Sequence, residues 1–468
     1  MGHASRLFNG AAEQTLYGRV TPTPQQREFL QEQWNDLATH LKGSLARHGY
    51  PISTWLQGSY KYGTLIRPVQ YGEAYDVDVG VYFEWDPKDL DATPTAVQLR
   101  DWVQNELLVL KGLNPDIRMI EDPAKERCSR AVYKKQFHID TPTYHLNTRT
   151  DTRRLACLSG NWEDSDPKAI YRWFKNKFDG GEREQLRRLI RYLKGWSAIA
   201  FQNSPASRPS SIVLTVLSTE AYGRIWMERL GGIDDDDALI EVVKVLHARL
   251  TKDRSVPNPV DDGEDLNRIP EDAWESFLAR LTVLHDCALQ AGASEDESAA
   301  ALAWEQVFSF LMPLPETDAV EVTETSGRAL MQIPDIRIQV FDKPGGTLLS
   351  THLNEVPSVH KNRYLVFEIT NTHVIPDYAS IDWTVRNDGE ESGYLGDLGH
   401  ASGGIGMFST TEHTAYLGKH YMDCVVRCGG VVYSARRIVV QINPDAQLAV
   451  KNARLSWTKL RSRRGRRS

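Results

Sequence analysis

Cysteine is scarce. The five residues, Cys128, Cys157, Cys287, Cys424 and Cys428, are odd in number and scattered, which excludes a disulfide framework and suits free thiols in a reducing cytosol. Cys424 and Cys428 are read as packed residues of two strands in "YMDCVVRCGGVVYSARRIVVQI", in preference to a zinc site with His413 and His420, because no Cys-x2-Cys pair is present. Long apolar runs are also missing, so no bilayer-spanning segment is expected. The opening "MGHASRLFNGAAEQTLYGRV" lacks the continuous apolar core of a secretory signal, and its likeness to a myristoylation motif is short. A cytoplasmic protein without a membrane partner is the expectation. No internal repeat is present.

Positive charge is in short supply over most of the chain. The net charge is −7, but residues 446–468 carry eight basic side chains and no acidic one, which leaves −15 on residues 1–445. An acidic body disfavours a large nucleic-acid face. The tail is read as disordered and solvated, with at most weak polyanion binding. The remaining composition, 41% apolar and 25% charged over 468 residues, is that of a soluble globular chain with two to four domains.

Helical signals dominate the first two thirds. Thr23 and Pro24 mark a helix start, after which Leu30, Trp34, Leu37, Leu41 and Leu45 recur on one face. "AVQLRDWVQNELLVLKGL", residues 168–200, "PSSIVLTVLSTEAYGRIWMERL", "DDDDALIEVVKVLHARL" and "EDAWESFLARLTVLHDCALQA" read as further helices, with the aspartates of residues 234–237 charging a helix start. "ISTWL" reads as a short strand or loop, and "YKKQFHIDTPTYHL" as a strand. Beyond residues 313–330 the pattern turns to short strands, "DIRIQVF", "RYLVFEITN", "SIDWTVRN", "YMDCVVRC" and "YSARRIVVQI", the signature of a separate sandwich-like β-domain. "GHASGGIGMF" is expected to be a flexible loop.

The stretch with chemistry is "QGSYKYGTLIRPVQYGEAYDVDVGVYF", residues 57–83. Its strand alternates strictly, with Val77, Val79 and Val81 on one side and Asp76, Asp78 and Gly80 on the other. Asp-Val-Asp alone is better read as two surface aspartates. The neighbours change that reading. Gly58-Ser59, expected in a turn, permits close approach to a phosphate. His138 and Asp140 share one face of a later strand, and three carboxylates from adjacent strands suit divalent metal ions. Arg187, Arg191 and Lys194 form a basic helical stripe that a triphosphate would need, with a solvated basic face as the alternative.

In order along the chain, "QGSYKYGT", "DVDVGVYF", "FHIDTPTYH", "WEDSDPKAIYRWF", "RYLKGW" and "PSSIVLTVL" resemble the successive motifs of the cGAS/DncV-like nucleotidyltransferases, bacterial enzymes of anti-phage signalling. The resemblance covers roughly residues 50–310. It implies an α+β fold with a polymerase-β-like catalytic core over 1–200, a helical nucleotide-binding lobe over 201–315, a β sensor-like domain over 330–445 and the basic tail. Asp76, Asp78 and Asp140 become metal ligands and catalytic residues for Mg²⁺ or Mn²⁺. Gln57, Gly58, Ser59, Tyr62, Arg130, Ser165, Asp166, Lys194 and Ser210 become nucleotide contacts, Tyr62 by stacking on a base. The implied reaction is cyclic oligonucleotide synthesis from nucleoside triphosphates. Transfer to RNA ends, to a protein or to a small molecule stays open, as does nucleotide sensing without turnover.

"IDWTVRNDGEESGYLGDLGHASGG" and "TAYLGKHYMDCVVRCGGVVYSARRIVVQI" resemble the sensor-type β-domain fused to some of these enzymes. That implies a regulatory protein, peptide or other infection-linked ligand. The same resemblance allows conjugation machinery to act on the C-terminal "RSRRGRRS".

Overall fold

Two threonines start the long helices that back the sheet. In a computed structural model that describes residues 2–444 except 13, 71, 90–92 and 316–332, short helices α1 (Ser5–Asn9) and α2 (Leu16–Val20) precede α3 (Pro24–Leu45). Thr23 caps α3 by accepting the Gln26 N–H, and the Gln26 side-chain oxygen accepts the Thr23 N–H in return. Thr95 and Gln98 do the same for α5 (Ala96–Leu113), so both helices begin on capping boxes. The basic tail and the residue 316–330 break lie outside the described residues. The chain divides into two compact units, residues 1–308 and 309–468.

The first unit is built around one strand. β1 (Ile52–Gln57) pairs antiparallel with β2 (Tyr75–Trp85), and the short helix α4 (Gly58–Tyr62) lies between them in sequence. β3 (Ile117–Ile120) and β4 (Ser129–Tyr133) lead to β5 (Phe137–Thr141) and β6 (Thr143–Asn147), which both run parallel to β2. The expected single strand is thus interrupted at Pro142, which has no N–H to donate, while its carbonyl still accepts from Val81 at 2.9 Å. β7 (Thr152–Ala156) and β8 (Trp162–Asp164) extend the sheet beyond β6.

Alternation divides the sheet's two faces. Val77, Val79, Val81, Phe137 and Ile139 are fully buried in one core with Leu37, Leu41, Leu99 and Leu107 of α3 and α5. Each such side chain contributes roughly 1.5–3 kcal/mol on burial. A one-residue slip would expose this whole set, so the apolar face fixes which way the even-numbered aspartates point.

The helices that follow are α6 (Pro167–Lys177), α7 (Gly180–Ala200), α8 (Ser211–Arg224), α9 (Asp235–Leu250), α10 (Glu271–Gly292) and α11 (Glu297–Phe308), with the small pair β9 (Pro257–Asn258) and β10 (Asp261–Asp265). The stretch expected as one helix breaks at Phe178–Asp179, and Gly180 takes a left-handed φ of 49°. Asp235 and Asp236 sit in the first turn of α9 but are buried. Asp235 holds Arg188 and Tyr192 of α7, and Asp236 accepts the Ala4 N–H. The acidic run therefore ties elements together besides charging a helix end. No helix among the described residues is long and apolar enough to cross a membrane.

The second unit carries two sheets. β11 (Ile336–Phe341), β12 (Leu348–Leu353), β14 (Tyr364–Ile369) and β17 (Ser409–His413) form one; β13 (Val359–His360), β15 (Ser380–Asn387), β16 (Gly399–Ile405), β18 (Gly418–Cys428) and β19 (Val431–Asn443) form the other, with α12 (Glu390–Leu395) between β15 and β16. Ile338 and Phe367 from the first share a core with Trp383, Met422 and Ile438 from the second. "GHASGGIGMF" is largely strand rather than loop, because β16 pairs with β15 along seven residues. Cys424 is fully buried in this sandwich, as a packed strand cysteine should be.

One buried charge group stands out here. Asp423 of β18 lies between Arg386 of β15 and Arg437 of β19, all three at most 9% exposed. Arg386 Nε donates to the Met312 carbonyl at 2.7 Å and Arg437 Nη1 to the Leu314 carbonyl at 2.8 Å. The pair thereby holds residues 312–314 against the sheet. Removing the shared anion leaves two buried cations unpaired, so Asp423→Ala should destabilise the second unit by about 3–5 kcal/mol. Denaturant titration of the full chain checks this; a change below about 1 kcal/mol would show that the group contributes little.

Candidate functional site

Register brings the acids together. Asp76 lies opposite His138 and Asp78 opposite Asp140 on the parallel strands β2 and β5, so all four side chains share the polar face. His138 Nε2 is 2.8 Å from Asp76 Oδ1. Ligand atoms of Asp76, His138 and Asp140 all lie within 4.8 Å of one another. Asp140 is nearly buried, whereas the Asp76 side chain is about half exposed at the edge of the group.

Basic groups offset part of that charge. Arg130, opposite Asp140 on β4, grips the Asp140 carboxylate with two nitrogens, Nη2 to Oδ2 at 2.7 Å, and stands 3.8 Å from Asp76. Lys125 Nζ is 3.8 Å from Asp140, and the Cys128 thiol donates to the same carboxylate at 3.2 Å. Against desolvation, which would raise it, the His138 hydrogen bond and the Arg130 charge hold the Asp76 carboxyl below its ordinary value. At Asp78 the charges of Arg130 and Lys194 pull the same way but are outweighed. Burial, followed by the charges of Asp76 and Asp140, pushes its carboxyl up to about 8.

The Gly-Ser segment closes over Asp78. It is the start of α4 rather than a simple turn, and Gly58 has a left-handed φ of 59°. A Cβ on Gly58 would sit 1.9 Å from Asp78 Oδ2, so only glycine allows this approach. Gly58, Ser59, Tyr62, Thr64, Asp76 and Asp78 line a cleft of about 500 Å³ together with Lys194, Arg208, Ser211 and Thr215. Lys194 Nζ donates to the Thr64 hydroxyl and carbonyl at 3.1 and 3.2 Å. Burial, and then Arg191, push its ammonium down to about 7.

The basic stripe of α7 is neither solvated nor wholly turned to the cleft. Arg187 Nε donates to the Tyr62 carbonyl at 2.9 Å and Arg191 Nε to the Leu65 carbonyl at 3.3 Å. With Lys194 on Thr64, the stripe clamps residues 62–65 behind the Gly-Ser helix.

Several other sequence candidates have structural engagements. Tyr62 lines the cleft, but it is 6% exposed and its ring packs against Tyr171 and Phe174. Gln57 is buried between the Tyr82 and Tyr144 hydroxyls, outside the cleft lining. Asp166 caps α6 through the Lys168 and Ala169 N–H groups and holds Arg153 at 3.0 Å, while Ser165 bonds the Tyr144 hydroxyl. Ser210 caps α8, and its neighbours Arg208, Pro209 and Ser211 line the cleft in its place. In the sequence His138 shares a face with Asp140 but carries no assigned role. Its position two residues before the third acid was the available signal.

The donor set suits a hard divalent cation. Two carboxylates and an imidazole converge, and a third carboxyl beside them is unstable as an anion without added positive charge. Asp76, Asp140 and His138 would hold such an ion, with Asp78 beside them on the same strand face.

Residues 52–144 match the family model described as "Cyclic GMP-AMP synthase DncV-like, nucleotidyltransferase domain", and residues 320–443 match "Adenylyl/Guanylyl and SMODS C-terminal sensor domain". The chain is 29% identical over 396 residues to a cyclic GMP-AMP synthase of Escherichia albertii, covering 84% of this chain and 85% of that one. It is 25% identical over 278 residues to a c-di-GMP synthase of Roseivirga ehrenbergii, covering 51% and 67%. Among solved structures, it is similar to the Vibrio cholerae DncV cyclic AMP-GMP synthase in complex with the linear intermediate pppA(3′,5′)pG. That likeness has a TM-score of 0.54 at 19% identity, over 67% of this chain and 97% of that one.

Three outcomes follow from the site's geometry. The Asp78 proton must leave before its carboxylate can ligate, so Mn²⁺ affinity should fall by up to about tenfold per pH unit below about 8. Paramagnetic titration at several pH values reads this, and a flat profile would contradict it. A carboxyl with a raised folded pKa favours the fold below its unfolded value, and that contribution is lost as pH rises through about 8. Thermal melts without metal should therefore decline across that window. Gly58→Ala, forced against Asp78, should weaken Mn²⁺ binding while the melting transition of the second unit stays in place.

Proposed function

We propose that this chain, which belongs to the cGAS/DncV-like nucleotidyltransferases and carries their C-terminal sensor domain, joins nucleoside triphosphates into a cyclic oligonucleotide, a second messenger for anti-phage defence. The carrying observation is the convergence of Asp76, His138 and Asp140, of which Asp76 and His138 line the same cleft as Gly58 and Ser59. The names of the E. albertii and R. ehrenbergii relatives, both cyclic dinucleotide synthases, support the product class.

In the proposed reaction a ribose hydroxyl attacks the α-phosphorus of a triphosphate. A new P–O bond forms, the bridging bond to the β-phosphate breaks, and pyrophosphate leaves with the electron pair. Asp140 accepts the hydroxyl proton, and Asp76 with Asp78 fixes the reacting groups. When bound, Mg²⁺ or Mn²⁺ supplies charge neutralisation for the phosphates and lowers the pKa of the attacking hydroxyl. Ser59 donates to the phosphate end through its hydroxyl, and Lys194, in the same lining, adds nearby positive charge. Arg130, released from part of its grip on Asp140, is a further phosphate contact. A second round within the linear product closes the ring. The clamp of α7 on residues 62–65 keeps the Gly-Ser segment in place during both rounds. The second unit takes a regulatory ligand or partner.

Purified chain incubated with the four ribonucleoside triphosphates and Mg²⁺ should give small products that resist phosphatase, identified by mass spectrometry. Asp76→Asn should lower the rate on the order of 10³-fold, several kcal/mol of transition-state stabilisation. Extension of added RNA without phosphatase-resistant product would overturn cyclisation in favour of end transfer. Nucleotide binding without product from wild type would overturn turnover.

A further inference from the structure

The second unit contains a cavity that no role described above uses. Its volume is about 230 Å³, and its apolar floor is formed by Leu365, Phe367, Val385, Met422, Val440 and Ile442 from strands of both sheets. These side chains come from positions that alternate inward, so the cavity is a gap left in the sandwich core near its rim.

The polar wall is built and closed on itself. The Tyr416 hydroxyl donates to Asp397 Oδ2 at 2.8 Å, and Asn387 Nδ2 donates to Asp397 Oδ1 at 3.2 Å. Asn387 Oδ1 lies 3.1 Å from His420 Nδ1, and His420 Nε2 lies 3.0 Å from the Tyr416 carbonyl. The ring so formed joins four residues from separate parts of the chain and includes His420, only 5% exposed. Such a network holds its members in one geometry. A second carboxylate, Glu412, pairs with His400 at 3.0 Å on the same cavity.

Charge decides what fits. Two carboxylates line the cavity and no lysine or arginine does. Of the lining histidines, His400 is held toward its charged form by the Glu412 hydrogen bond and is engaged by that carboxylate. In mildly alkaline solution a phosphate or carboxylate ligand would therefore face Asp397 and Glu412 with little positive charge to meet it. An ionised carboxylate offers about four lone-pair positions, more than the bonds to Asp397 named above require. Metal binding does not compete as an explanation, because among the described residues the three-ligand cluster is Asp76, His138 and Asp140.

We propose that this cavity binds a small amphipathic organic cation, its apolar body on the Phe367–Met422 floor and its donor end on Asp397 and Glu412. The site belongs to the β-unit alone, so it stands or falls apart from the nucleotidyltransferase reading. Met422 lies on the floor and reports occupancy directly.

The probes are tryptamine, indole and indole-3-acetate, which share one ring system and differ in charge. In full-length chain labelled at methionine methyls, with the Met422 signal assigned by Met422→Leu, tryptamine should shift that signal saturably in mildly alkaline buffer. Its Kd should be at least about tenfold below that of indole-3-acetate, with indole between. Glu412→Gln should shrink the preference for the amine over the acid, and Ala415→Trp, which fills the cavity, should abolish the shift. Equal or tighter binding of the acid overturns the proposal. So does a Met422 signal unmoved by all three probes, or an amine preference unchanged in Glu412→Gln. Should Ala415→Trp fail to fold, the Glu412→Gln comparison still decides the outcome.

Discussion

Three carboxylates on one polar face repel one another, and the first unit is organised around that repulsion. Asp78 and Asp140 are direct partners across parallel strands, with Asp76 one pleat away. At an effective dielectric suited to a partly buried site, like charges about 5 Å apart oppose each other by roughly 3 kcal/mol per pair. The structure answers with Arg130 and Lys125 on Asp140, His138 on Asp76, and a raised pKa at Asp78. A divalent cation and a triphosphate would replace those local compromises with one shared solution.

The cleft also depends on a backbone that cannot drift. Gly58 touches the Asp78 carboxylate with no side chain between them, and the segment behind it is held by three cations donating to its carbonyl oxygens or hydroxyl. Gly80 serves a related end, because a Cβ there would meet Gln57 Nε2 at 2.0 Å and break the Gln57–Tyr82–Tyr144 contact. Residues assigned to substrate by motif position are here partly the frame that positions other residues.

The second unit solves a different problem. Its buried Asp423 lies between two arginines whose remaining donors reach carbonyls of the preceding segment. Val385, Asn387 and Met422, next to those charged residues along β15 and β18, line the cavity. Side chains alternate across the pleat, so the cavity and the clasp share backbone while pointing apart.

Much of this was legible along the chain because periodicity and capping are local. Thr23 announced its helix, the valines of β2 declared which face was buried, and the separation of His138 from Asp140 placed them together. Local pattern could not show that Pro142 divides one strand, that "GHASGGIGMF" finds a strand partner in β15, or that Tyr62 spends its ring on Tyr171 and Phe174. It also left the stripe of α7 undecided, since a cation's partner is whatever backbone packs opposite it. The sequence alone determined which residue types were available and which way each faced. Only the tertiary structure decided which distant groups met, because electrostatics, steric fit and hydrogen bonding act over a few ångströms of space and not over positions in the chain.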